Sequence, residues 1–241
     1  HLNYRPTPSS PTGVAARALE LACFTNLPGL KSSFNSRGPF LSKDIRFKAS
    51  QVIREISGSF DDRVIHVPEG TVLDGYFQNP KYFADFAERI REILGTSFKP
   101  ESNIQRLSQS FGSDWIAVHV RRGDYKNFES IYELPGEEYY SRALETVKRR
   151  SRNTKVVVFS DEPDTARALI PAATEYLGPQ DLKAPGDNLM LMAMAPSLIG
   201  ANSSFSWWAA FLNKNREREV FFPNSWMKGV ELISEDVMMP G

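Results

Sequence analysis

Asp114-Trp115-Ile116-Ala117-Val118-His119-Val120-Arg121-Arg122-Gly123-Asp124-Tyr125 is the stretch on which the reading of this chain turns. A short apolar run of strand formers ends in two arginines, a glycine and an aspartate. That is the pattern of a buried parallel strand that delivers charged side chains to the rim of an open sheet. Two adjacent guanidiniums at such a rim seek an anion, and phosphate is the natural candidate. Alternation puts His119 and Arg121 on one side of the strand, Val120 and Arg122 on the other. Arg121 is therefore expected to face the crevice, and Arg122 to brace the loop.

The pattern repeats downstream. Lys155-Val156-Val157-Val158-Phe159 reads as a second strand, and Ser160-Asp161-Glu162-Pro163 as the opening of a helix towards Ile170. Ser197–Ala201 reads as a short strand, and Asn202-Ser203-Ser204 opens a helix carrying Phe205, Trp207, Trp208, Phe211 and Leu212. Helices are expected at about Glu137–Arg150, with Tyr140, Leu144 and Val147 inward, and at Asn188–Ala195. Val220–Pro223 closes the set as a last strand. Strand, loop and helix repeated three times signify a doubly wound α/β domain with parallel strands.

Upstream the signals are weaker. Residues 1–13 hold three prolines and read as an extended lead-in. Val14–Phe24 has helical spacing, and Leu30–Phe40 reads as loop. Gln51–Ile56, Arg63–Val67 and Val72–Gln78 are expected strands, the last leading into a helix from about Pro80 to Leu94. The turn-rich stretch from Gly95 places a boundary at about 96–112. The expected domains are residues 1–105, an acceptor-side α/β half, and 106–241, a Rossmann-like donor half.

Composition narrows the function classes. Lys+Arg and Asp+Glu both number 29, which argues against a chain built mainly to coat nucleic acid or an anionic membrane. A single cysteine, Cys23, excludes an internal disulfide framework and leans towards a reducing compartment. No apolar run reaches the ~18–20 residues of a membrane span, and the first residues lack a signal-peptide pattern. The expected location is the cytoplasm, or the Golgi lumen if an N-terminal anchor precedes His1. No metal is expected, because Asp161, Glu162 and Asp164 sit in a helix start with no histidine near.

Three polar clusters should converge where ligands bind an open sheet, beyond the carboxyl ends of its strands: His119 to Asp124, Ser160 to Glu162, and Asn202 to Ser204. Arg121 can grip a diphosphate bidentately and neutralise charge on a leaving phosphate. Asp124 is a turn residue, an ion-pair partner for an arginine, or a general base, with Glu129 the rival base in the same loop. His119 is structural or catalytic. Ser160 and Asp161 form a helix cap or hold a ribose or base. Arg122-Gly123-Asp124 also spells an adhesion tripeptide, read as coincidence beside a core strand.

His119-Val120-Arg121-Arg122-Gly123-Asp124-Tyr125 resembles the first signature motif of the α-1,2-fucosyltransferases, a glycosyltransferase family 11-like group. Phe159-Ser160-Asp161-Glu162 resembles the second, and the stretch from Asn202 to Asn213 the third. Leu73–Gln78 with Lys81-Tyr82-Phe83, and Tyr139-Tyr140 with Ala143-Leu144, fit as well, so the likeness runs from about Val64 to Trp226. It implies a GT-B-like pair of Rossmann-like halves and fucose transfer from GDP-fucose, with inversion, to a glycan hydroxyl. The acceptor position would be the 2-OH of a terminal galactose, and no obligatory metal cofactor is implied. Arg121 would hold the donor diphosphate. His119, Arg122, Ser160, Asp161, Asn202, Ser203, Ser204 and Phe205 would help seat GDP. Residues 1–13 show nothing of the family's Gly-Gly-Leu-Gly-Asn-Gln-like opening loop, so the N-terminal half reads as truncated or divergent. That departure keeps two alternatives open: a relative that binds GDP-fucose or GDP without turnover, and a non-enzymatic interaction module.

Overall fold

The computed structural model describes residues 51–55, 59–74, 77, 79–149, 154–215 and 218–231. The expected helix at Val14–Phe24 and loop at Leu30–Phe40 lie outside them. Of the described residues, those up to Ile90 fall in one compact unit and those from Arg91 onward in a second.

In the first unit, β1 (Gln51–Arg54) and β2 (Thr71–Asp74) pair in parallel, with Val52 opposite Val72. The strand expected at Arg63–Val67 is instead a single 3-10 turn, Asp62–Val64. Asp61 decides this locally. Its carboxylate accepts the Arg63 backbone N–H at 3.1 Å and grips the Arg63 guanidinium, a side-chain-to-backbone turn that outcompetes β propensity. Asn79 starts another 3-10 turn at Pro80–Tyr82, and the chain then enters α1 (Ala87–Ser97).

The second unit is built on one five-stranded sheet. Its strands are β3 (Trp115–Val120), β4 (Lys155–Ser160), β5 (Glu175–Leu177), β6 (Ser197–Ile199) and β7 (Glu219–Phe221). They lie in the order β5-β4-β3-β6-β7, and every pairing is parallel. All six β3 residues are buried, as its unbroken apolar run requires of a central strand covered on both faces.

The helices α2 (Ile104–Phe111), α3 (Glu137–Lys148), α4 (Pro163–Leu169), α5 (Pro185–Met192) and α6 (Ser204–Leu212) supply the cover. The even-numbered side of β3 (Ile116, Val118, Val120) packs with Val156 and Val158 against Tyr140, Leu144 and Val147 of α3 and Ala166 of α4. The odd-numbered side meets the other helices. Phe111 of α2 lies edge-on to Trp115, and Phe205 of α6 lies against the His119 ring. Helices on both faces of a parallel sheet make this a doubly wound α/β unit, as the sequence pattern predicts.

Three elements differ from expectation. The stretch read as a turn-rich boundary carries α2, whose Ile104 and Phe111 are buried and whose start is capped by Asn103. The methionine-rich helix begins three residues early, at Pro185, because proline is accommodated in a first helical turn. The hairpin of β8 (Ser225–Met227) with β9 (Val230–Glu231) has no alternating run to announce it.

Candidate functional site

The strand order reverses between β3 and β6, the switch point at which doubly wound sheets open a crevice. A cavity of about 780 Å³ lies there, inside the usual range for small-molecule sites. His119, Arg121, Asp124 and Tyr125 line it from the end of β3, Phe159, Ser160 and Asp161 from the end of β4, and Ser203, Ser204 and Phe205 from the start of α6. The three polar clusters of the sequence thus meet in one space.

Arg121 is the centre of charge. Its guanidinium donates to Asp124 Oδ1 at 2.5 Å and pairs with Asp161 Oδ2 at 2.8 Å, while its carbon stands 5.3 Å from the Tyr125 ring centre. Of the readings open for Asp124, the ion pair is the one the geometry displays. Asp161 is an anchor for the turn after β3 rather than a cap of α4, whose N-cap position is Glu162. Its Oδ1 accepts the Arg122 backbone N–H at 3.0 Å, so one carboxylate just past β4 fixes both the side chain and the backbone that follow β3. Gly123 is needed for this approach: a Cβ there would stand 2.4 Å from Asp161 Oδ2. Lys126 pairs with Glu162 at the start of α4 and ties the same turn down a second time, which holds the Glu162 carboxyl below its ordinary range.

His119 is buried, and its ring lies 5.8 Å from that of Phe205. Burial, with Arg121 nearby, pushes its pKa down to about 3, so it is neutral at physiological pH. Its Nδ1 has no hydrogen-bond partner among the described residues. Ser160 is spent locally, accepting the Glu162 N–H at 3.0 Å, and Ser203 caps α6 by accepting from Phe205 N at 3.3 Å. Ser204, one residue on, is exposed to the cavity.

Three candidates do not line the cavity. Arg122 is 5 % exposed, and its guanidinium donates to Pro135 O at 2.5 Å, as the alternation predicted for the bracing arginine. An arginine so buried cannot display the Arg-Gly-Asp tripeptide. Asn202 is 1 % exposed and donates to Glu133 O at 2.7 Å and Trp226 O at 3.0 Å, which makes it a tie between α6, the loop after β3 and the hairpin. Glu129 is exposed just beyond the 3-10 turn Gly123–Phe128. Tyr139 and Tyr140 are braces too. Tyr140 donates to His119 O at 3.1 Å, and Tyr139 to Gly200 O at 2.7 Å.

The cavity has further lining that the clusters did not foretell. Gly178, Pro179, Leu182 and Lys183 from the β5–α5 connection, Pro185, Asn188 and Leu189 of α5, and Trp208 and Leu212 of α6 add a mostly apolar wall. The Gly-Pro pair and Ala184-Pro185-Gly186 mark a turn-rich loop. Its value as a site lining depends on recognising β5, three residues long with no apolar run. Among the described residues, no group of three or more His, Cys, Asp or Glu is placed to hold a metal ion. None of their helices is long and apolar enough to cross a membrane.

A doubly wound parallel sheet with a cavity at its switch point places the protein among the α/β folds whose ligand crevice lies beyond the carboxyl ends of the strands. Residues 21–232 match the family model for glycosyl transferase family 11, and the chain belongs to that family. It is 31% identical over 204 residues to the alpha-1,2-colitosyltransferase of Escherichia coli, covering 79% of this chain and 66% of that protein. Identity to the O-antigen biosynthesis glycosyltransferase WbnK of Escherichia coli is 23% (68% and 58% covered). It is 27% to the galactoside 2-alpha-L-fucosyltransferase of Caenorhabditis elegans (65% and 52% covered). The chain therefore spans less than two thirds of the length of each of these curated relatives. Among solved structures, POFUT1 in complex with GDP aligns at 18% identity and TM-score 0.39, over 64% of this chain and 54% of that one. NodZ alpha-1,6-fucosyltransferase soaked with GDP-fucose aligns at 20% and 0.37, over 61% and 53%.

Proposed function

We propose that this chain binds GDP-fucose at the β3/β6 crevice and transfers the sugar, with inversion, to a glycan hydroxyl. The acceptor position we propose is the 2-OH of a terminal galactose. The observation that carries the reading is Arg121 at the end of β3, inside a cavity lined from all three signature stretches. A charged rim continuous with an apolar slot suits a nucleoside diphosphate, with the diphosphate at Arg121 and the base in the slot between the β5–α5 connection and α6. The names of two relatives, an alpha-1,2-colitosyltransferase and a galactoside 2-alpha-L-fucosyltransferase, support an α-1,2 linkage. The GT-B-like pairing of two halves belongs to the same proposal.

The chemistry follows from these groups. The acceptor oxygen attacks the anomeric carbon as the bond from that carbon to the phosphate oxygen breaks. The electron pair leaves on GDP, where the Arg121 guanidinium meets the developing charge. The acceptor proton passes to a carboxylate. Asp124 lines the cavity and Glu129 does not, which favours Asp124 as the base. We propose that no metal is required.

The test is GDP release from GDP-fucose in the presence of a galactose-terminated acceptor, with and without EDTA. Release unaffected by EDTA is expected. GDP binding without release would leave a nucleotide-binding relative in place of an enzyme. In parallel, GDP should raise the melting temperature of the native chain and of Glu69→Ala, but not of Arg121→Ala. Equal shifts in all three would remove Arg121 from the site.

A further inference from the structure

We infer that Lys183 reads the base of the bound nucleotide: its ammonium donates to O6 and N7 of guanine and so selects a guanine nucleotide over an adenine one. This rests on the donor-site reading above and adds to it the residue that chooses the base.

Lys183 stands in the connection between β5 and α5 and lines the cavity. Besides the neutral His119, the charged groups of the lining are Arg121, Asp124, Asp161 and Lys183. Arg121 is engaged by both aspartates. The Lys183 ammonium has no hydrogen-bond or ion-pair partner among the described residues. The carboxylates nearest to it in sequence are turned to backbone instead. Asp181 accepts the Gly178 N–H at 2.9 Å. Asp187, wholly buried, accepts the Glu101 and Ser102 N–H groups at 3.1 and 2.6 Å.

The backbone that carries Lys183 is braced. Leu182 and Ala184, on either side of it, are buried. The Asn188 side-chain amide donates to both their carbonyls, at 2.8 and 3.3 Å, and the Leu182 N–H donates to Gly178 O at 3.2 Å. Lys183 itself is exposed. A long side chain thus leaves the cavity wall from a fixed point.

Position decides which part of the nucleotide it meets. In the sheet β4 lies between β3 and β5, so β3 and β5 stand roughly 10 Å apart at ordinary strand spacing. Arg121 follows β3, and Lys183 belongs to the connection that follows β5. A ribose separates base from diphosphate, so a nucleotide with its phosphates at Arg121 can bring its base to the β5 side. Leu182, Pro185, Leu189 and Trp208 line the cavity from that connection and from α5 and α6, and apolar walls of this kind suit the faces of a purine. They do not tell one purine from another. An ammonium at the edge of the ring does, because it donates and cannot accept. Guanine offers it O6 and N7, whereas adenine sets an N6 amino donor where O6 would be.

The experiment titrates the full chain calorimetrically with GDP and IDP, and with ADP in competition against GDP. The proteins are the native chain, Lys183→Met and Lys183→Arg, with melting curves to check folding. IDP keeps O6 and N7 and lacks only the 2-amino group. Lys183→Met should weaken GDP and IDP at least about fivefold, the low end of a base-edge contact, and leave ADP within about twofold. Lys183→Arg should keep the preference for GDP over ADP, since a guanidinium donates to the same two acceptors. Equal weakening of GDP and ADP would make Lys183 a phosphate anchor, and unchanged GDP affinity would place it outside the site. Either result overturns base selection by Lys183 and leaves the donor site standing. A native chain that binds neither nucleotide overturns both.

Discussion

Gly123 and His119 show how much of the site depends on what a side chain must avoid. Gly123 is held to hydrogen by the Asp161 carboxylate, which is itself held by two arginine groups and cannot swing aside cheaply. Gly123→Ala should drive Asp161 off Arg121 and lower GDP affinity at least about tenfold, a coupling of ordinary size. Calorimetry would show it. His119 gives a pH signature. Its folded pKa of about 3 lies below the unfolded value of 6.5, so between those pH values the unfolded chain binds the extra proton. Stability is full above pH 6.5 and falls as the solution is acidified towards 3. The loss should reach about 2 kcal/mol by pH 5, at ~1.4 kcal/mol per pH unit. Glu162, whose pKa is lowered, loses its contribution only below its ordinary value of 4.5. His119→Gln should therefore flatten urea-unfolding stability between pH 6.5 and 5 and leave the steeper acid limb.

Elements with a strong local signal were legible in the sequence, and those defined by contacts across the chain were not. β3, β4 and α6 announce themselves by apolar runs longer than any surface segment tolerates, and the alternation along β3 correctly separates Arg121 from Arg122. β5 is three residues long, and the Arg63–Val67 run gives way to a 3-10 turn that Asp61 caps. The convergence of three polar clusters follows from where parallel strands end. That Asp161 belongs to Arg121 and the Arg122 backbone does not, because partners 39 or 40 residues apart leave no periodic trace. Asn202 makes the same point at the start of α6. Burial and two carbonyl partners in the loop and hairpin give it a structural task. Asn202→Ala should cost about 1–3 kcal/mol of unfolding free energy by leaving those carbonyls short of a donor. GDP affinity should stay within about twofold, since the cost falls on a tie outside the cavity rather than on a ligand contact. Ser204→Ala, on the cavity wall, should do the reverse.

At the scale of the molecule, the two units differ in how their backbone is protected. The second holds five parallel strands with helices on both faces, and its central strand is wholly buried. In the first, the described strands are one parallel pair, with Val52 and Leu73 about half exposed. Backbone hydrogen bonds under a two-sided cover open only with large-scale unfolding, whereas those of an exposed pair open locally. Hydrogen exchange should therefore be slowest in β3 and β4 and faster in β1 and β2. The cavity adds a second expectation, because every described residue lining it, from Leu94 to Leu212, belongs to the second unit. GDP should slow exchange in the Gly123–Phe128 turn, after β4 and at the start of α6, and leave Gln51–Asp74 at its original rate. Protection of β1 and β2 by GDP alone would mean that the nucleotide reaches both units. It would also move the acceptor's place in the reaction, since an acceptor can meet the donor sugar only on a side that the nucleotide leaves open.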